Sequence, residues 1–279
     1  MRLHFYKMQG IGNDYVYING FQETVENPSA LSVRVSDRHF GIGSDGLILL
    51  LPSKVADLRM QMFNLDGSEG RMCGNGIRCV GRLAYEKGIC QKETMTVETL
   101  SGIKTLRLTV VSGRVESVTV DMGAPELEAA RVPVVFGGSR MVDQPVQIGT
   151  SNYHITCVSM GNPHAVVFMD GIDDLEIEKI GPQFEKNKIF PESVNTEFIE
   201  VIDAHNLRMR VWERGSGETL ACGTGACASV VAAVLNGFAP RGEEVTVHLR
   251  GGDLNITWND STVLMRGPAK IVFEGDIEV

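Results

Sequence analysis

The chain has 279 residues, 43% hydrophobic and 22% charged, with a formal net charge of −9. That length suits two domains of ordinary size, and the composition is that of a globular protein. No Lys/Arg cluster marks a nucleic-acid binder, and no stretch is apolar and long enough to span a membrane.

The N-terminal MRLHFYKMQGIGND has no long apolar run, so no secretory signal is read and a cytoplasmic protein is expected. FYKMQGIGNDYVYING (5–20) and DGLILLLPS (45–53) read as strands broken by Gly, Asn and Pro. LRMQMFNLDGS (58–68) alternates into a turn. GIRCVGRLAYEKG (76–88) reads as a helix whose last residue, Gly88, suits a left-handed cap. Short strands then follow from 94 to 123, turning at Ser-Gly pairs. GAPELEAARVPVVFGG, from Gly123 to Gly138, is the candidate crossover between domains.

The second half repeats this style. HAVVFMD (164–170) and the run from Val194 to Gly217 are strand-like, and strands return over 243–279. GACASVVAAVLNG (225–237) reads as a helix that is apolar nearly all round and therefore buried. A curved sheet wrapped round such a helix would bury it. The expected fold class is therefore α+β, with a helix at the centre of each domain.

An internal repeat ties the halves together. At an offset of 149 residues, MFNLDGSEGRMCGNGIRCV from Met62 falls on VWERGSGETLACGTGACAS from Val211. Cys73 then falls on Cys222, Gly74 on Gly223, Gly76 on Gly225 and Glu69 on Glu218. The same offset brings Asn13 onto Asn162 and Gly88 onto Gly237. Shared register at separated places implies duplication into two similar domains, each bringing one cysteine to a common cleft.

The six cysteines are Cys73, Cys79, Cys90, Cys157, Cys222 and Cys227. Without a signal or a CxxC they suggest neither a disulfide framework nor a zinc site. Cys79, Cys90, Cys157 and Cys227 read as small buried hydrophobes. Cys73 and Cys222 differ, because Cys-Gly-Asn-Gly and Cys-Gly-Thr-Gly each open a helix. A helix start presents unpartnered N–H groups and a positive dipole end, which suits a carboxylate. The same field is expected to lower a thiol's pKa. One thiolate and one thiol facing a common carbon would remove a proton from one side and deliver it to the other. No metal is expected. With no pyridoxal-phosphate lysine context or phosphate loop in view, no cofactor is expected either.

QGIGNDY, MCGNGIRC, MGNPHAV, WERGSGET and ACGTGACAS together resemble diaminopimelate epimerases along essentially the whole chain. The cysteine motifs are shared loosely with the proline racemase superfamily, and Asn75 and WERGSGET favour the former. The resemblance implies interconversion of LL- and meso-2,6-diaminopimelate, in lysine and peptidoglycan precursor synthesis, by a homodimer. It implies Cys73 and Cys222 as the catalytic pair. It also implies substrate contacts at Asn13, Asn64, Gly74, Asn75, Asn162, Asn195, Glu213, Arg214, Gly223 and Thr224, with His164 and Glu213 tuning the cysteines. The domains expected on this basis are 1–122 plus 268–279, the last strand returning to the first domain, and 123–267. Some relatives carry a substrate-touching glutamine at the position of Gly46, which has no side chain to offer.

Other readings stay open at this point. A proline or hydroxyproline racemase shares the chemistry but binds a cyclic imino acid, against which the polar residues Asn64, Asn195 and Arg214 speak. A thiol redox or metal-binding module is disfavoured by the lack of CxxC, and a plain binding protein would not need both cysteines. Taken alone, Asn13 and Asn162 read as turn residues, Arg214 as a surface arginine and His164 as structural. His39 is given no role.

Overall fold

The computed structural model describes residues 2–278; Met1 and Val279, both inside the expected first domain, lie outside the described residues. The chain divides into two units, one running to Asp121 and resuming at Arg266, the other covering Met122–Met265.

The first unit opens with β1 (Arg2–Gly10) and β2 (Asn13–Asn19), then α1 (Pro28–Ser36), β3 (Gly46–Leu51) and β4 (Leu58–Asn64). A two-residue strand, β5 (Glu69–Gly70), leads into α2 (Gly74–Glu86), followed by β6 (Thr94–Thr99), β7 (Gly102–Val111) and β8 (Arg114–Gly123). The second unit holds β9 (Gln144–Ile148), β10 (Ser151–Ser159), β11 (Pro163–Phe168), α3 (Ile177–Glu185), β12 (Asn195–Asp203) and β13 (Asn206–Glu213). β14 (Gly217–Glu218), α4 (Gly223–Leu235), β15 (Glu244–Leu249) and β16 (Gly252–Trp258) follow, and β17 (Val263–Gly267) runs across the boundary at Arg266. β18 (Lys270–Glu278) returns to pair antiparallel with β1.

The repeat is structural. β2–β3 and β4–β6 are parallel pairs in the first unit, as β11–β12 and β13–β15 are in the second; the neighbouring pairs are antiparallel in both. At the offset of 149, the pairs Val16↔Leu47 and Leu58↔Val97 find their counterparts in Ala165↔Thr196 and Leu207↔Val247, the last partner having slipped by one. The same offset maps α2 onto α4 at both ends. Beyond the helices the offset becomes 150, so that Thr94↔Arg107 matches Glu244↔Thr257. Gly88 and Gly237 follow the two helices with φ of 71° and 76°, the left-handed cap conformation.

Each sheet bends round its helix. α2 touches β1, β2, β3, β7 and β18. From β1 to β7 the strands step five places, about 24 Å if flat, more than the diameter of a helix. α4 likewise touches β10, β11, β12, β15 and β16. The outer face is covered as well. Leu31 and Val35 of α1 pack with Val16, Ile18, Leu47 and Leu49, while the Tyr17 hydroxyl reaches the Gly76 carbonyl oxygen of α2 at 3.2 Å. Coverage on both faces explains why GLILLL in β3 is apolar without alternation. In the second unit Ile177 and Phe184 of α3 pack with Phe198 of β12 in the corresponding place.

α4 is buried nearly all round, from Ala226 through Ala233, while α2 keeps a polar edge at Arg82 and Glu86, which pair at 3.1 Å. The sheet therefore closes more completely on α4. Leu83 of α2 is fully buried. Leu83→Ala is expected to lower unfolding stability by about 2–5 kcal/mol, the usual range for such truncations, read as a fall in the urea midpoint at unchanged slope; an unchanged midpoint would contradict the wrapped-helix packing.

Candidate active site

Cys73 and Cys222 occupy the same position in the two units. Each is the N-cap of its central helix in extended conformation, with φ of −125° and −119°. Each sulfur accepts a hydrogen bond from the N–H three residues on, Gly76 at 3.3 Å and Gly225 at 3.4 Å. The sequence-derived helix starts are therefore correct to within two residues, and both thiols stand at the positive end of a helix.

Around Cys73 the neighbours come from β2, α2 and the loop before β3. The thiol donates to Asn13 Oδ1 at 3.2 Å, and the buried Tyr15 hydroxyl also meets the sulfur. Arg78, fully buried, donates through Nη1 to Gly74 O at 3.1 Å and Asn75 Oδ1 at 3.0 Å, and through Nε to Pro268 O at 3.1 Å. It ties the first turn of α2 to the returning end of the chain and fixes the Asn75 side chain.

Cys222 has acidic company. Thr224 Oγ1 lies 3.6 Å from its sulfur, and the Glu213 carboxyl hydrogen-bonds to the thiol. Thr219 Oγ1 donates to Glu213. Behind them the fully buried His164 meets Glu197 Oε1 through Nδ1 at 2.7 Å and Asn162 Oδ1 through Nε2 at 3.1 Å. Gly225 is required here by space, since a Cβ would lie 2.6 Å from Glu197 Oε1 and 3.2 Å from the Cys222 sulfur.

The expected lowering of the thiol pKa values is reversed in the structure. Burial pushes Cys73 up; the N–H groups of Gly76 and Asn75, the Arg78 charge and the Tyr15 hydroxyl pull it down without offsetting the loss of water. Burial raises Cys222 further, and the carboxylates of Glu213 and Glu197 add to the effect. Burial also raises Glu213, against the Thr219 hydroxyl and His164.

The remaining sequence candidates divide. Gly74 and Asn75, like Gly223 and Thr224, form the first turns beside the sulfurs. Asn195 pairs with His164 across the parallel strands, and its Oδ1 accepts the Arg214 N–H at 2.9 Å. Arg214 is exposed, its Nη1 donating to Glu192 O at 2.9 Å. Asn64 ends β4 opposite Gly46, with its amide donating to Ser68 Oγ at 3.0 Å within its own turn and not toward Cys73 or Asn13. At Gly46 a Cβ would lie 2.1 Å from the Phe63 carbonyl oxygen, so no side chain fits there. Tyr15, Asp45, Arg78 and Glu197 are the polar neighbours that sequence reasoning missed. The repeat pairs Tyr15 with His164, which is the one signal that could have found Tyr15. Among the described residues no group of three or more His, Cys, Asp and Glu side chains could hold a metal ion, and no helix is long and apolar enough to cross a membrane.

The family model for diaminopimelate epimerase matches residues 5–128 and 156–272. The chain is 58% identical over 282 residues to a diaminopimelate epimerase of Desulfovibrio desulfuricans, covering 98% of each chain. It is 54% identical over 279 residues to that of Acetivibrio thermocellus, covering 99% of each. In fold it is similar to a probable proline racemase from Agrobacterium radiobacter, with a TM-score of 0.73 at 15% identity over 99% of this chain and 93% of that one. A match over most of the chain, at more than half identity, shows that it belongs to the diaminopimelate epimerase family and is an enzyme of the epimerase class.

Proposed function

We propose that the enzyme interconverts LL- and meso-2,6-diaminopimelate by proton transfer at one α-carbon, with Cys73 and Cys222 as base and acid and without a cofactor. The observation that carries this reading is the equivalence of the two cysteines: the same N-cap, on the same helix, in two copies of one fold. Inversion requires one group on each face of the carbon. A thiolate takes the α-proton from one face while the opposite thiol delivers its own to the other; in reverse the roles exchange.

The α-proton is weakly acidic, so the carbanion needs help. The α-carboxylate, held by N–H groups at the helix starts around Gly74, Asn75, Gly223 and Thr224, carries the growing charge. Burial serves the base as well, because a desolvated thiolate, once formed, is a stronger base than one in water. Glu213 takes the α-ammonium, which removes part of the repulsion that holds Cys222 protonated. Arg214 and Asn195 take the distal carboxylate, Arg214 turning from Glu192 to make a two-pronged bond. Asn64 joins them after releasing Ser68. Asn13, which also accepts from Cys73, and Asn162 contact the substrate, and His164 with Glu197 steadies Asn162. The same reading makes the enzyme a cytoplasmic homodimer serving lysine and peptidoglycan precursor synthesis.

Proton NMR of LL-diaminopimelate with reduced enzyme in D₂O is expected to show loss of the α-proton signal at one centre and formation of meso product, with no exchange into proline. Cys73→Ala should abolish it. Exchange into proline instead would keep the chemistry and overturn the substrate, while exchange into neither by enzyme with verified thiols would overturn both. Arg214→Lys, which keeps the charge but loses the planar fork, should raise KM at least tenfold with kcat changed less; an unchanged KM would remove Arg214 from the site. Because both thiols titrate above an ordinary cysteine, iodoacetamide should label them slowly at pH 8, faster as pH rises, and Cys73 before Cys222; peptide mass spectrometry finding Cys222 first would contradict the acidic surroundings assigned to it.

A further inference from the structure

Asn13 does not stand alone beside Cys73. In the loop before β3, Asp45 Oδ2 accepts from Asn13 Nδ2 at 2.8 Å and from the Asp14 N–H at 3.0 Å. Its other oxygen faces Arg38 Nη2 at 3.1 Å, and its own N–H donates to the Asp14 carbonyl oxygen at 2.8 Å. Asp14 is held in turn by the buried Lys7. The carboxylate is thus fixed by donors on both oxygens.

An ionised carboxylate only accepts, whereas a side-chain amide has one donating end and one accepting end. Asp45 therefore determines which end of Asn13 it meets, namely the nitrogen, and the oxygen is left for Cys73 Sγ at 3.2 Å. Rotated the other way, Asn13 would offer N–H groups to the sulfur and favour a thiolate. The second unit has no counterpart: the position of Asp45 falls on Val194, and Asn162 is oriented instead by the ring of His164, backed by Glu197.

We propose that Asp45 is a positioning residue that locks the Asn13 amide with its oxygen toward Cys73, so that Asn13 accepts from the thiol. Its consequence for catalysis rests on the reading of Cys73 as an acid–base group; the lock itself does not. Cys73 also faces Tyr15 and Tyr17 from β2 and Arg78 and Cys79 from α2, none of which the test replaces; the Asp45 charge bears on Tyr15 as well, an effect that both substitutions share and that their comparison cancels.

The test compares Asp45→Ala, which removes both acceptor and charge, with Asp45→Asn, which removes the charge but keeps an oxygen for Asn13 and the Asp14 N–H. Substrate-free alkylation of Cys73 by iodoacetamide at pH 7.5 is followed by peptide mass spectrometry, with thermal unfolding as the check on folding. Asp45→Ala should speed labelling about tenfold, the scale of one exchanged hydrogen bond to a charged group, and Asp45→Asn by no more than about twofold. Equal acceleration in both would mean that Asp45 acts by charge alone, and no change in Asp45→Ala would mean that there is no lock; either overturns the proposal. Wild-type protein gives a second measurement, needed if Asp45→Ala does not fold: NMR exchange of the Asn13 side-chain amide protons should be slowed relative to the exposed Asn152, and equal exchange overturns the lock. Neither measurement uses substrate, so failure of the epimerase mechanism and failure of the lock are separable.

Discussion

Each central helix has to begin on a sulfur. The first N–H groups of a helix need acceptors, and Ser, Thr, Asp and Asn supply far better ones than a thiol does. Here Cys73 and Cys222 take that position, reaching Gly76 and Gly225 at 3.3 and 3.4 Å. The weak cap stands because the helices are held by burial rather than by their ends. At least five strands touch each one, and α4 has almost no wet face. Packing thus frees the N-terminus to carry a thiol where a stronger cap would otherwise serve stability.

On this common frame the two units have placed different chemistry. Tyr15 and His164 hold equivalent places, yet one is a phenol touching the sulfur and the other an imidazole backed by a buried carboxylate. Asn13 and Asn162 are also equivalent, the first oriented by Asp45 and the second by His164. Arg78 lies beside the first sulfur, and its counterpart in the second unit is Cys227. The result is a cation near Cys73, which opposes the effect of burial there, and two carboxylates near Cys222, which add to it.

Much of this was legible in the sequence wherever the information was local or repeated. The offset of 149 located both cysteines, both helices and the glycines behind them, because those positions share register without a gap. It blurred beyond Gly237, where one added residue shifts the strands to 150. The outer helices α1 and α3 went unread: PSALSVRVS and IEKIGPQFE are short and carry Ser, Val, Gly or Pro where a strong helix former would signal. The direction of the thiol shifts was misjudged because a motif shows the helix dipole but not the depth of burial that outweighs it. Asp45 was invisible because its bond to Asn13 spans 32 residues and its counterpart in the repeat, Val194, is apolar.

Two thiols raised above their ordinary range also bear on what the protein must avoid. Oxidation and disulfide exchange begin from thiolate, and a pair of accessible low-pKa cysteines is the usual starting point for both. Cys73 is kept as a thiol by burial and by an amide turned to accept from it, Cys222 by burial and neighbouring carboxylates. On the proposed mechanism the thiolate is needed only when substrate is present, and the substrate's ammonium beside Glu213 offsets the carboxylates that raise Cys222. On that mechanism a base formed only with its substrate bound spends little time exposed to oxidants, so the burial that opposes ionisation would also preserve the cysteines for turnover.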